Sequence, residues 1–89
     1  MKLIPTKCGH IAYQTSAEEI ISIGGMGICD HCNEKPPVGI LIPVLNHWIC
    51  EECFKDWDKR AKFYPEDCPA ERRIAAYYRS VLRLENAQT

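Results

Sequence analysis

The sequence predicts a small α+β domain stabilised by a metal ion, and three observations support this prediction. The chain has 89 residues and a mass of 10.2 kDa, the size of a single domain. Six residues are cysteines, and a chain this short often needs a disulfide or a metal beside its core. Short strand-like and helix-like patterns follow one another. We therefore expect one domain over residues 1–89, with its core at 27–64.

Composition and charge restrict the class of protein. The chain is 46% hydrophobic and 26% charged, as in ordinary globular proteins and unlike disordered ones. Eleven basic and twelve acidic side chains give a net charge of -1 and a pI of about 6.3. A chain so close to neutral has no overall positive field for unspecific binding of nucleic acid.

The amino-terminal residues predict the compartment. Pro5 and Lys7 interrupt the apolar residues at the start of the chain, so this segment does not have the pattern of a secretory signal. No stretch approaches the roughly 18 apolar residues of a membrane helix. We expect a cytoplasmic protein with no membrane association, whose cysteines are reduced.

The first elements are an amino-terminal arm and a short helix. Residues 7–13 have the composition of a strand or an irregular arm. Ser16 and Glu19 have the spacing of a capping box, which predicts a helix from about Ala17 to Ser22. The glycines at 24, 25 and 27 end this helix, because they adopt the positive φ values of helix stops without steric cost.

A β-hairpin is predicted next. Residues 38–45 are rich in branched side chains, which favour strands, and we expect the chain to turn near Asn46 and return through Trp48. Pro43 cannot donate to a β-ladder, so its strand is expected to lie at a sheet edge or to contain a bulge.

Two helices complete the expected fold. After Glu51 the apolar residues follow a helical period up to Pro65; they are Phe54, Trp57, Ala61 and Tyr64. A carboxy-terminal helix from about 70 to 84 is expected to have one apolar side. Its members are Ile74, Tyr77, Tyr78, Val81 and Leu82.

Two C-x2-C pairs are the strongest motif in the chain. They are Cys29 with Cys32 and Cys50 with Cys53, separated by seventeen residues, a separation typical of zinc sites. Four thiolates suit the tetrahedral geometry of zinc and leave no open coordination position. The motif therefore predicts one structural zinc ion that supports folding.

Other uses of the cysteines fit less well. A thioredoxin-like redox pair needs a βαβ context that is missing here, and it leaves the second pair unexplained. Iron held by four thiolates fits the same ligands as zinc, and the residues do not distinguish the two metals.

The order of the motif resembles the treble-clef zinc fingers: a cysteine knuckle, a hairpin, and a second cysteine pair opening a helix. The spacing is similar to that of GATA-type and LIM-type fingers, and residues 46–53 resemble their last strand and helix start. The resemblance covers 27–64 and implies the fold of that core. The chain lacks the basic residues of GATA hairpins and the His and Asn pattern of HNH nucleases, so it implies neither of those activities.

Three potential ligands lie outside the four-cysteine motif. Cys8, His10 and Cys68 can be interpreted as a second metal site, since Cys8 and His10 lie on one tight turn. His31, His47 or Asp67 could supply a further ligand. The first three can equally be ordinary packed residues, which the absence of a standard ligand spacing favours. Of the further candidates, His31 and His47 are expected to be surface residues rather than ligands.

A cationic stripe is predicted on the carboxy-terminal helix. On a helical projection Arg72, Arg79 and Arg83 lie within about 40° of one another, opposite the apolar side. Such a stripe can dock a phosphate or an acidic partner, because arginine binds these groups in bidentate fashion. It can also be an ordinary solvated face.

The functional prediction follows from what the motifs contain. The sequence has no nucleophile with its base and no metal with an open position, which argues against an enzyme. We predict a non-enzymatic zinc-binding interaction module that docks a protein partner. The alternative is a small nucleic-acid-binding or transcription-associated zinc finger that uses the arginine stripe.

Overall fold

A computed structural model of the chain describes residues 1–82 and shows an α+β fold, as predicted. Four antiparallel strands form one sheet in the order β1-β2-β3-β4. The strands are β1 (Lys2–Ile4), β2 (Ala12–Ser16), β3 (Val38–Ile42) and β4 (His47–Ile49). The helices are α1 (Ala17–Ser22), α2 (Glu51–Arg60) and α3 (Cys68–Val81), with a 3-10 turn at Pro65–Asp67. None of the helices in this range is long and apolar enough to cross a membrane.

The predicted hairpin is confirmed, but its first strand is not at an edge. β3 and β4 pair with Leu41 opposite Trp48, and Asn46 in the turn has a φ of 56°. β3 also pairs with β2, so it is an internal strand. The expectation of an edge strand or a bulge at Pro43 was wrong, because β3 ends at Ile42 and Pro43 follows it, where no ladder amide is needed.

The sheet buries side chains on both faces. Successive residues of a strand point to opposite faces, so Leu41 packs on one side while Ile40 and Ile42 pack on the other. The first cluster, here called the α3-side core, contains Met1, Tyr13, Ile20, Leu41, Trp48, Ala75 and Leu82. The second, the cysteine-side core, contains Ala12, Cys29, Ile40, Ile42, Ile49, Phe54 and Trp57.

Helix α1 has the predicted bounds and the predicted cap. The Ser16 hydroxyl accepts a hydrogen bond from the Glu19 amide at 3.1 Å, and Oε1 of Glu19 accepts one from the Ser16 amide at 2.8 Å. These reciprocal bonds satisfy two amides that the helix itself leaves unpaired.

The amino-terminal arm contributes strands at its two ends. Residues 2–4 and 12–16 pair as β1 and β2, so only part of the segment 7–13 is a strand. Between them the arm lies against α2, where the Asp58 carboxylate accepts hydrogen bonds from the amides of Lys7 and Cys8 at 2.9 and 3.0 Å.

The last two helices differ from expectation at their ends and faces. α2 stops at Arg60, which leaves Tyr64 outside it and exposed. α3 begins two residues earlier than predicted and ends at Val81, because Leu82 has an extended backbone. The predicted helix end at residue 84 lies outside the described residues. Tyr77 and Val81 are exposed, and the small Ala75 is the buried apolar residue at the centre of the helix.

Candidate metal centre and its surroundings

The four cysteines of the two C-x2-C pairs come together at one point. Cys29 and Cys32 lie in the loop between α1 and β3, and Cys50 and Cys53 lie where β4 meets α2. All four Sγ atoms are within 4.8 Å of one another. Cys29 is fully buried, Cys50 and Cys53 are half-buried, and Cys32 is exposed.

A tight turn positions the first pair. The Asn33 amide donates to the Cys29 carbonyl at 2.9 Å, and Asn33 closes the turn with a φ of 66°, a conformation that asparagine tolerates better than most residues. The amides of His31 and Cys32 both donate to Sγ of Cys29 at 3.4 Å. The backbone of this knuckle thus points two donors at one sulfur.

The start of α2 positions the second pair. Cys50 is the N-cap residue, with an extended backbone and no side-chain capping bond, and Cys53 follows within the first turn. The unpaired amides and positive dipole end of the helix therefore face a sulfur-rich site. This arrangement favours thiolate ligands without a basic side chain.

The sulfur positions fit one tetrahedral metal ion. With metal–sulfur bonds of about 2.3 Å, a tetrahedral site has sulfur–sulfur edges of about 3.8 Å. The Sγ atoms of Cys32 and Cys50 are 3.7 Å apart, and the remaining separations stay within 4.8 Å. The group is consistent with a single metal ion held by these four side chains.

The thiols differ in how readily they ionise. Burial opposes ionisation of Cys29, but hydrogen bonds from backbone amides, first that of Cys50, outweigh it and lower the pKa of Cys29 to about 6. Burial and hydrogen bonds to the neighbouring thiols raise the pKa of Cys53. Without metal the cluster therefore holds protons at some sulfurs, and a cation that binds four thiolates must release them.

The knuckle is fixed to the sheet by a reciprocal pair of hydrogen bonds. The Asp30 amide donates to the Trp48 carbonyl at 3.0 Å, and Oδ2 of Asp30 accepts from the Trp48 amide at 2.9 Å. These two hydrogen bonds therefore hold the neighbouring residues of the knuckle and of β4 close to each other.

His10 lies in a buried polar pair that the sequence did not indicate. Its Nδ1 is 3.0 Å from Oε2 of Glu71, and their side chains are 3% and 4% exposed. Its Nε2 donates to the Lys62 carbonyl at 3.0 Å, because a carbonyl can only accept. The same Glu71 oxygen accepts from the Ile11 amide at 2.8 Å. One proton therefore lies between His10 and Glu71, which join the arm to α3.

The other residues of the predicted second metal site are not in a metal-binding group. Cys8 and Cys68 are half-buried free thiols, and both ring nitrogens of His10 are hydrogen-bonded within the protein. Across the described part of the chain, the four-cysteine group is the one cluster of three or more His, Cys, Asp or Glu with metal-binding separations. The positions of Cys8, His10 and Cys68 therefore favour their interpretation as ordinary packed residues.

The two described members of the predicted arginine stripe lie on the surface. Arg72 and Arg79 are both exposed. Arg79 donates from Nη1 to the Tyr13 hydroxyl at 2.8 Å, so it contributes to the packing of α3 on the sheet. Arg83 lies outside the described residues.

A groove opens on the α3 side of the sheet, beside the knuckle. It has a volume of about 540 Å³, and its lining includes buried Leu41 and Trp48 together with Met26 of the glycine-rich loop and Tyr77 of α3. Met26 and Tyr77 are 79% and 55% exposed. Asp30 is the charged residue among the described lining residues.

Two of the lining residues form a contact between α3 and the hairpin turn. The Tyr78 hydroxyl donates to Oδ1 of Asn46 at 2.6 Å. Burial raises the pKa of this phenol, and electrostatic interactions with Tyr77 and Asp30 raise it further. The groove has no signature in the sequence, because its lining residues come from four separate segments that no local pattern links.

Comparisons of the chain with protein-family models, with curated proteins and with solved structures give no match.

Proposed function

We propose that the protein is a non-enzymatic, zinc-stabilised interaction module that binds a segment of another protein in the groove beside the knuckle. Four cysteine sulfurs within 4.8 Å of one another support a structural site, because four protein ligands leave no position for a substrate. Zinc is the proposed metal, since tetrahedral thiolate sites suit it.

The groove is the observation that carries the proposed docking function. A soluble protein rarely leaves apolar side chains exposed around a concave surface without a use for them. Among the lining residues, Met26 and Tyr77 are exposed, whereas Leu41 and Trp48 are buried. This arrangement suits an apolar anchor side chain of a partner, the common centre of protein interfaces.

Charge specifies the partner further. Asp30 is the single charged side chain among the described residues that line the groove, and its Oδ2 already accepts from the Trp48 amide. Asp30 is exposed at the groove, where its negative charge attracts a cationic group of a partner. The proposed ligand is therefore a peptide segment with an apolar anchor next to a lysine or arginine.

The test is a selection from a random peptide library displayed on phage, with the zinc-loaded domain as bait. Enriched peptides should combine an apolar residue with a basic one, and their binding should be lost in Met26→Glu and Tyr77→Glu. Arg72→Gln, on the exposed surface of α3, is the matched control and should bind normally. Failure to enrich peptides, or peptides insensitive to both groove variants, would refute the proposal.

Binding to duplex and single-stranded DNA, measured at several salt concentrations, distinguishes the nucleic-acid-binding alternative from protein docking. Nucleic-acid binding predicts an affinity that falls with salt and is weakened by Arg72→Gln, at about one unit of log–log slope for each lost phosphate contact. The protein-docking proposal predicts no salt-dependent DNA affinity. Micromolar DNA binding at physiological salt would favour the nucleic-acid function instead.

A further inference from the structure

Two histidines from different elements meet on the surface beside the four-cysteine cluster. His31 lies inside the knuckle, and His47 opens β4. Nε2 of His31 and Nδ1 of His47 are 3.3 Å apart, and the rings meet edge to face with centroids 5.4 Å apart. His31 is exposed and His47 half-buried, so the pair is open to solvent.

The backbone holds these rings together before any ligand binds. His31 follows Asp30 and His47 precedes Trp48, the two residues joined by the reciprocal hydrogen bonds between knuckle and sheet. Each histidine is thus one residue away from a fixed contact. Preorganisation of this kind reduces the entropy lost when two side chains bind one ligand.

The separation of the two nitrogens suits a shared transition-metal ion. With metal–nitrogen bonds of about 2.05 Å, nitrogens 3.3 Å apart subtend an angle of about 107° at the metal, close to tetrahedral. We propose that His31 and His47 form a second metal site, which binds a divalent transition ion such as Zn²⁺ through two imidazoles. It is separate from the four-cysteine site.

The site differs from the cysteine cluster in strength and openness. Within residues 1–82, no third Cys, His, Asp or Glu completes a metal-binding group with the two histidines. Water would therefore fill the remaining positions, and the ion would exchange readily. When the metal binds, each facing nitrogen must offer its lone pair, so a proton carried by either of them moves to the other nitrogen of the same imidazole or to solvent.

The test is a calorimetric titration of protein already loaded with one equivalent of Zn²⁺, using further Zn²⁺ as the ligand. Wild type should bind a second equivalent. His31→Ala and His47→Ala should each weaken that binding by about tenfold or more, since even the loss of an outer partner costs about 10- to 100-fold. Glu34→Gln removes a carboxylate from the same knuckle but keeps both imidazoles, so it should bind as wild type does.

Two further readouts keep the result decisive. Each variant should retain its first zinc equivalent, which shows that the cysteine cluster and the fold are intact. In wild type, the ring-nitrogen resonances of His31 and His47 should shift during addition of the second equivalent. The proposal is wrong if no second equivalent binds, if both alanine variants keep it, or if those resonances do not respond.

Discussion

Cys50 combines two roles at a single position, as a member of the sulfur cluster and as the N-cap of α2. We expect Cys50→Ser to lose its metal and to unfold. Structural zinc contributes about 10–16 kcal/mol of folding free energy, which is as large as the whole stability of most domains, about 5–15 kcal/mol. Metal content and far-ultraviolet circular dichroism measure the two effects.

Cys68 provides the matched control for that change. It is a half-buried free thiol at the start of α3, outside the metal-binding group. Cys68→Ser should keep one metal equivalent and a folded spectrum. Loss of metal in Cys68→Ser, or a folded metal-free Cys50→Ser, would contradict the assignment of the ligands.

The His10–Glu71 pair makes a second prediction at the residue scale. His10→Ala leaves the Glu71 carboxyl buried without its ring partner, and leaving a buried polar group without its partner costs about 1–3 kcal/mol. Urea unfolding should show a loss of this size while the metal content stays at one equivalent. The exposed pair of Asp56 and Arg60 is the control, and Arg60→Ala should cost about 0.5 kcal/mol or less.

At the scale of the elements, Gly39 of β3 leaves room for the side chain of Trp48 from the neighbouring strand β4. The Trp48 indole crosses β3 at Gly39 and donates to the Thr15 hydroxyl at 2.7 Å. A methyl group at Gly39 would lie 2.5 Å from Cε2 of Trp48. We therefore expect Gly39→Ala to destabilise the protein by about 1–3 kcal/mol, the usual cost of overpacking.

The adjacent residue tests whether that loss is specific to the Trp48 contact. Val38 is in the same strand but is 44% exposed, so Val38→Thr should change the free energy of unfolding by about 0.5 kcal/mol or less. Alanine favours a strand more than glycine does, so a loss confined to Gly39→Ala would come from the indole contact. Equal losses in the two variants would contradict that cause. Near-ultraviolet circular dichroism of the tryptophans provides a second measurement.

The attachment of the arm to α2 predicts a dependence on pH. Burial opposes ionisation of Asp58, but hydrogen bonds from the amides of Lys7 and Cys8 outweigh it and lower its pKa below the usual value. The resulting stability is present above the usual aspartate pKa, about 3.9, and is lost as pH falls through the lowered value. Asp58→Asn should be less stable at neutral pH, and its difference from wild type should shrink in acid. A pH-independent difference would contradict this.

Local signals explain which elements were predictable. The capping box was predictable because Ser16 and Glu19 interact over only three residues. The cysteine cluster was predictable because a metal requires a fixed ligand geometry, which the spacing of the four cysteines matches. His10 and Glu71 are 61 positions apart, and no periodicity links them. The apolar side of α3 was predicted too wide, because helical period shows where a face lies but not how much of it the sheet covers.

At the scale of the whole molecule, β3 contributes side chains to both hydrophobic cores, so the stability of each core depends on the other. Leu41 belongs to the α3-side core, while Ile40 and Ile42 belong to the cysteine-side core. Neither layer can separate from the sheet without exposing the apolar side chains of this strand. The two layers are therefore expected to open together, as one cooperative unit.

Amide hydrogen exchange would make this cooperativity visible. When a chelator removes the metal, protection should fall at buried amides of the opposite layer, such as Ala75 of α3, as well as near the cysteines, because both layers are joined through β3. Protection lost only over residues 29–54 would instead describe two independently opening units. In the expected case, a metal on one side of the sheet determines how often the helix on the other side exchanges its amide protons with solvent.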